Sequence, residues 1–166
     1  MALELLVITG YKDEAFQQEV SGSPYTLMIN PDSLHWNRVL AKNESVGTSQ
    51  GQKGKVSTVN LKFDIIIDCT GIVDSTRIDL TSEIQNLESQ LYTQKNSVYQ
   101  SNFVKVEWGQ NICFYSQLKS CHVSYTLFKP DGSPLRAKVS FVFEKQDLSK
   151  NIKKKKKSWF SFLLSI

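Results

Sequence analysis

Four groupings in this 166-residue chain carry side chains that could do chemistry. Cys121-His122 sets a thiol beside a base, Asp64 and Asp68 are carboxylates four apart, and "GTSQGQKGK" (47–55) is a glycine-rich loop with lysine. The fourth is Arg136, four residues past the glycine of a Pro-Asp-Gly turn. Neighbours on a strand point to opposite faces, so Cys121 and His122 cannot form a nucleophile–base pair, and His35 falls in a different strand. Asp64 and Asp68 share the polar face of a strand, but no third acid lies near them, and a solvated or interface face fits better than a cation site. A phosphate-cradling loop needs glycine five positions before its Gly-Lys pair and Ser or Thr after it. Here Ser49 stands five before Gly54, and Val56 follows Lys55, so the motif fails. Arg136 either pairs with a carboxylate on a neighbouring subunit or stands in solvent. No grouping supports catalysis, so the chain reads as non-enzymatic and without metal or cofactor.

The elements that carry these residues are mostly strands. Thr58 to Asp68 is the clearest: Val59, Leu61, Phe63, Ile65 and Ile67 alternate with Asn60, Lys62, Asp64 and Asp68, the pattern of a half-buried antiparallel strand. Leu3, Leu5 and Val7 suggest a short opening strand, and "PYTLMIN" (24–30) and "SLHWNRVL" (33–40) suggest two more around an "NPD" turn. Residues 41–58 read as an exposed loop or a loose hairpin that extends beyond the body. Ser82 to Thr93 is the single good helix, with capping-box spacing at Ser82 and Gln85 and an apolar stripe of Ile84, Leu87 and Leu91. "FVKVEWG" (103–109) directs Val104, Val106 and Trp108 to one side. Between Ile112 and Phe128 the apolar parity switches from even (Ile112, Phe114, Leu118) to odd (Val123, Tyr125, Leu127), which requires a bulge near Lys119 to Cys121. Leu135 to Glu144 returns Val139, Phe141 and Phe143 to the core. The expected fold is mainly β with one helix, an α+β sandwich or barrel.

The totals agree with one such domain, over 1–147, followed by a basic and apolar tail, 148–166. The net charge is +4, but the five lysines Lys153, Lys154, Lys155, Lys156 and Lys157 account for more than all of it, leaving −1 for the rest. A nucleic-acid-binding body is therefore not expected. Cys69, Cys113 and Cys121 form neither a CxxC pair nor an even set, which fits a reducing compartment. The opening "MALELLVITGY" does not read as a secretory leader, and Trp159 to Ile166 is eight residues where a spanning helix needs about 20.

Several segments together resemble the tube-protein domain of bacterial contractile injection systems, phage-tail-like machines with a sheath around an inner tube. They are "MINPDS" (28–33), "VGTSQGQKG" (46–54), "LKFDIIIDCTGIV" (61–73), "NFVKVEWG" (102–109) and, most specifically, "LKSCHVSYTLFKPDGSPLRAKV" (118–139). The resemblance implies a tube-like β-fold that assembles as a hexameric ring and stacks on tube rings, where tube meets baseplate. Many such proteins carry a LysM module after this domain, whereas only 21 residues follow Lys145 here. Cys69 also stands where glycine is expected, and "YQSN" (99–102) lacks an expected proline. A short relative could instead end the tube at its cap-proximal end.

On this reading Lys129, Pro130, Asp131, Gly132, Ser133, Pro134 and Arg136 form an assembly hairpin. Its prolines and Gly132 limit the tip to few conformations, so little order remains to be imposed on docking. The resemblance places Gly47, Thr48, Ser49, Gly51, Lys53 and Gly54 in a ring-stacking loop that reaches the adjacent ring. The lysine run with Trp159 and Phe160 is a tail contact, directed at an anionic membrane or at an acidic surface of a neighbouring protein. The expected partners are further copies of the chain, inner-tube subunits, and baseplate or cap proteins. Assembly would take place in the bacterial cytoplasm before incorporation into the particle. A monomeric β-domain tethered to a membrane by its basic tail is the rival reading.

Overall fold

The structure is a computed structural model that describes residues 3–41 and 55–145. Among the described residues, nine strands and one helix occur in the order β1 (Val7–Tyr11), β2 (Tyr25–Thr26), β3 (His35–Ala41), β4 (Lys55–Asp68), α1 (Leu80–Leu91), β5 (Tyr92–Lys95), β6 (Val98–Ser101), β7 (Phe103–Trp108), β8 (Ile112–Phe128) and β9 (Pro134–Lys145). Seven strands form one sheet in the order β2-β1-β7-β8-β9-β4-β3, and β5 and β6 form a separate two-stranded ribbon. The pairings are antiparallel throughout. The sheet curls into a half-barrel. Its curl brings Trp36 on the edge strand β3 into edge-to-face contact with Phe114 on β8, at 5.2 Å between ring centroids. The fold is mainly β with a single helix, as the alternation predicts.

The core lies on the concave face. Leu61, Phe63, Ile65 and Ile67 from β4 meet Val139, Phe141 and Phe143 from β9, and the three phenylalanine rings lie 5.2–5.8 Å apart. Helix α1 closes this face with Leu80, Ile84, Leu87 and Leu91. The predicted stripe is correct, but the helix starts earlier than Ser82. The Asp79 carboxylate caps it, accepting from the Thr81 amide at 3.1 Å and the Ser82 hydroxyl at 2.6 Å. A carboxylate favours the positive end of the helix, so Asp79 takes the cap and Ser82 falls in the first turn. At the other end, the buried Gln90 side chain accepts from the Gly10 amide at 3.0 Å and ties α1 to β1. Gly10 has no side chain for a steric reason: a Cβ there would lie 2.3 Å from the Gln90 carbonyl oxygen.

Three other expectations change. The opening strand has the opposite parity: Leu6 and Ile8 are fully buried, while Leu3 is exposed. The register explains it, because Ile8 pairs with Val106 on the core face and Val7 pairs with Glu107. In "PYTLMIN" only Tyr25 and Thr26 are strand. The chain then turns away, tied down by Asn30, whose side chain accepts from the Leu6 amide and donates to the Glu4 carbonyl. On the polar side of β4, Asn60 and Asp68 are buried rather than solvated.

The parity switch in β8 is a bulge, with a register shift between Leu118 and Ser120. The β5–β6 ribbon is an addition that the sequence reading does not contain. Its turn residues Asn96 and Ser97 both have positive φ, the twist that suits a tight two-residue hairpin.

Candidate functional site

The sheet has two distinct ends. At one, β8 and β9 turn over at residues 129–133 while β4 finishes beside them at Asp68. At the other lie the Gly109–Asn111 turn between β7 and β8, the end of β9 at Lys145, and the close approach of Ala41 to Lys55.

The hairpin end is ordered from within. The Gly132 amide donates to the Lys129 carbonyl at 2.9 Å and the Lys129 amide to the Ser133 carbonyl at 2.8 Å. This is a turn with proline at its second position, followed by a glycine at φ +88°, a conformation in which a side chain would be strained. Asp131 accepts from the Ser133 amide at 2.9 Å, a bond that holds its carboxyl below the usual range.

Below the tip, Arg136 donates from Nε at 2.9 Å and from Nη2 at 2.6 Å to one oxygen of Asp68. The other Asp68 oxygen accepts from the Thr70 amide and hydroxyl at 3.0 and 2.6 Å. Burial of Asp68 opposes its charge, yet the bonds from Thr70 and Arg136 outweigh burial and lower its pKa. Arg136 thus pairs with a carboxylate of its own chain while its side chain stays 39% exposed. The pair clamps β9 to β4 at the base of the hairpin, and the Cys69 amide adds a bond to the Leu135 carbonyl at 2.9 Å.

The loop 69–79 lies alongside and is fixed as firmly. Asp74 accepts from the Thr76 amide and hydroxyl at 2.9 and 2.6 Å. Arg77 pairs with Glu83, donates to the Thr26 carbonyl at 3.0 Å and stacks over the Tyr25 ring at 5.1 Å. Asp79 is close enough to Lys129 to feel its charge. These polar anchors leave apolar side chains outward: Ile72, Val73 and Ile78 on the loop, and Tyr125, Leu127 and Phe128 on β8. Among the described residues, these six make up most of the eleven exposed large hydrophobic side chains. Sequence reading missed this concentration because the two segments are about 50 residues apart in the chain and are brought to one end only by the β4–β9–β8 register.

The opposite end projects differently. Asn60 pairs with Glu144, so Lys55 to Thr58 run beyond the described end of β9 and pair with β3 alone. That is an arm of about 13 Å at the usual rise per residue. Of the two readings of residues 41–58, the hairpin extending beyond the body is the one its flanks follow. Gly47, Thr48, Ser49, Gly51, Lys53 and Gly54, expected to stack rings, lie outside the described residues, as do Lys153–Lys157, Trp159 and Phe160, expected as a tail contact.

The chemical groupings are not brought together. Cys121 faces the core row with Phe141, while His122 contacts the Ser124 hydroxyl at 3.1 Å on the other side. Burial, with Glu88 adding to it, pushes the Cys121 thiol up to about 11, and burial likewise pushes Cys69 up to about 11. His35 contacts the Ser33 hydroxyl in β3's approach. Asp64 pairs with Lys138 at 2.6 Å and Asp68 with Arg136, so each carboxylate already holds a cationic side chain.

A curled, single-helix β module with a clamped hairpin at one end and a two-stranded arm at the other is a tube-like fold. The chain belongs to the contractile injection system tube protein family, whose model matches residues 2–154. No protein of curated function matches it. Among solved structures it is similar to the SPP1 Dit (gp 19.1) protein, described as a paradigm of the hub adsorption apparatus in phages infecting Gram-positive hosts. That similarity has 14% identity and a TM-score of 0.41 and covers 86% of this chain. The chain spans about half the length of that phage protein.

Proposed function

We propose that this chain is a non-catalytic, ring-forming subunit at the end of the inner tube of a contractile injection system, joining tube to baseplate. Family membership over residues 2–154 supports a structural role in such a particle. The observation that carries the finer reading is the hairpin end. Its turn bonds, glycine geometry and Asp68–Arg136 clamp fix the tip before any partner arrives, which removes an ordering cost from docking in repeated copies. At the other end, Ala41 and Lys55 pair at the described limit of the arm, and the glycine-rich segment 47–54 between them in sequence is where we put the stacking contact. Six copies would close the ring, formed in the bacterial cytoplasm and then built into the particle.

Native mass measurement of the purified chain, alone and with tube subunits, tests this reading. A six-copy species that caps tube ends, seen by cryo-electron microscopy, is the expected result. A protein that stays monomeric and associates with neither tube nor baseplate components would overturn it.

A further inference from the structure

Helix α1 and the β5–β6 ribbon flank a groove of about 440 Å³ lined by Glu88, Ser89, Tyr92, Gln94 and Tyr99. Gln94 pairs with Tyr99 and Tyr92 with Ser101, which sets Tyr92, Gln94 and Tyr99 on one face of the ribbon and Lys95 on the other. The two tyrosine rings stand nearly perpendicular, at 84° with 6.5 Å between centroids. Buried Asn102 fixes them from below. Its backbone amide donates to the Leu91 carbonyl at 2.8 Å, and its side-chain amide to the Gln90 carbonyl at 3.1 Å. Its side-chain oxygen accepts from the Thr93 hydroxyl at 2.6 Å. The ribbon is thereby tied to the helix end, and the walls of the groove are set before a guest arrives.

The groove carries negative potential. Glu88 is exposed and joins no ion pair among the described residues. Burial, then Cys121 and Glu88, raise the Tyr92 phenol, and burial, then Glu88, raises the Cys121 thiol; no described lysine or arginine offsets Glu88 at either. We infer that the groove is a cation cage whose guest is the guanidinium of an arginine presented by a neighbouring protein of the particle. A tyrosine face attracts a cation within about 6 Å of the ring. Guanidinium suits every wall: its plane stacks on a ring, and its donors reach the Glu88 carboxylate and the Gln94 side-chain oxygen. A quaternary ammonium would leave those acceptors unpaired, and a lysine ammonium has no plane to stack. The chain's own three arginines do not supply the guest. Arg77 is held by Glu83 and Arg136 by Asp68. Arg38 lies on β3 beyond Trp36, whose ring meets Phe114. Cys121, within reach of the Glu88 charge, is seven residues further along β8, about 23 Å from Phe114. Copies side by side in one ring keep Arg38 at that other level, so the guest belongs to a different protein. That this protein is a tube or baseplate subunit rests on the proposed function; the cage itself does not.

The test has two arms. In the first, the full chain carrying ring-labelled tyrosine is titrated with N-acetylarginine amide, and with N-acetyllysine amide and choline for comparison, and followed by nuclear magnetic resonance. The Tyr92 and Tyr99 ring signals should respond to the arginine compound at a concentration at least ten-fold lower than to the other two. Glu88→Gln and Tyr99→Leu each change an exposed side chain, and each should weaken arginine binding at least five-fold while the melting temperature is unchanged. No response at tens of millimolar, an equal response to all three cations, or full binding by Glu88→Gln would overturn the cage. In the second arm, benzoylphenylalanine replaces Gln85, an exposed residue one turn along α1 from Glu88, in assembled particles. The expected crosslinks join position 85 to an arginine-bearing surface of a tube or baseplate subunit, and are lost in the Glu88→Gln chain. Crosslinks to β3 of another copy, or none, would overturn the choice of partner. The first arm needs only the isolated chain, so it reads the cage even where native mass finds no ring.

Discussion

The two ends of the sheet are built on different principles. At the hairpin end every strand terminus is tied to something else: β9 to β4 by Asp68 and Arg136, the tip to itself through Lys129, Gly132 and Ser133, and the adjacent loop to α1 through Arg77 and Glu83. At the arm end, β3 and β4 leave the body as a pair, with a register shift between Val39 and Leu40 and no third strand against them among the described residues. Antiparallel ribbons of two strands are marginal on their own. One end therefore presents a fixed shape, and the other rests on a single strand pairing. A subunit that stacks can use both, a rigid socket facing one neighbour and an adaptable arm facing the other.

The comparison assumes that both ends stand on one core, and the core is where the largest effect is expected. Phe63 lies between the two ends, 3% exposed, with its ring against Phe141 and Phe143. Phe63→Ala should cost about 3–5 kcal/mol through lost burial and the cavity left behind. Chemical denaturation followed by probes at residue 128 and at residue 38 should show both ends unfolding in one shifted transition. If the two probes separate, the ends are independent units and the contrast between them has another origin.

A smaller change should loosen the socket alone. Asp68→Asn keeps the shape but removes the charge that Arg136 and Thr70 hold, a loss of about 1–3 kcal/mol. The sign with pH follows from the direction of the shift. The folded Asp68 pKa lies below its ordinary value, so its contribution is complete well above pH 4. It is lost as pH falls below about 4 and through the lower folded value. The stability gap between the natural chain and Asp68→Asn should hence be constant between pH 6 and 7 and close in acid. Hydrogen exchange should quicken around residues 127–136 and leave β3 unaffected. A gap that widens in acid would show that Asp68 is not the stabilising carboxylate.

Gly132→Ala is a finer probe of the same end. No atom lies within 4 Å of the added methyl, so only the backbone conformation resists it, at about 1–2 kcal/mol. Melting temperature should fall by a few degrees, while ring formation, read by native mass, should weaken by more than that loss of stability implies. Unchanged assembly would mean that the tip geometry is incidental to docking.

What the sequence made legible was local. The alternation along β4, the bulge near Lys119–Cys121 and the Pro-Asp-Gly turn each follow from side-chain period or turn chemistry within a few residues. The misses are long-range or cooperative. Leu3, Leu5 and Val7 alternate convincingly, but the face is decided by Val106 and Glu107 across the sheet. Asp68 and Arg136 are 68 positions apart, and neither type nor spacing links them without the β4–β9 register. The β5–β6 ribbon is mostly polar and exposed, so it has no apolar period, and its signal reduces to Asn96-Ser97 at the turn.

The smallest effect on stability, and the cleanest separation of the two ends, should come from the segment 48–53. Replacing it with a short turn alters a connection between β3 and β4 and leaves in place every core side chain among the described residues. Loop-closure entropy changes slowly with length, so the expected change in folding free energy is under about 1 kcal/mol, of either sign. If the arm is the adaptable side of a stacking contact, the shortened chain should still form its ring and yet bind tube rings at least ten-fold more weakly. The Asp68→Asn chain should fail in the opposite sense, with its socket loosened and its arm intact. Mixing the two variants offers each a neighbour with the surface it lacks, so some association should return at a single junction. Recovery in the mixture, absent from either variant alone, would show that the ends meet each other. If the shortened chain binds tube rings as well as the natural one, segment 48–53 is only a connector, and the arm's projection must be explained by β3 and β4 themselves.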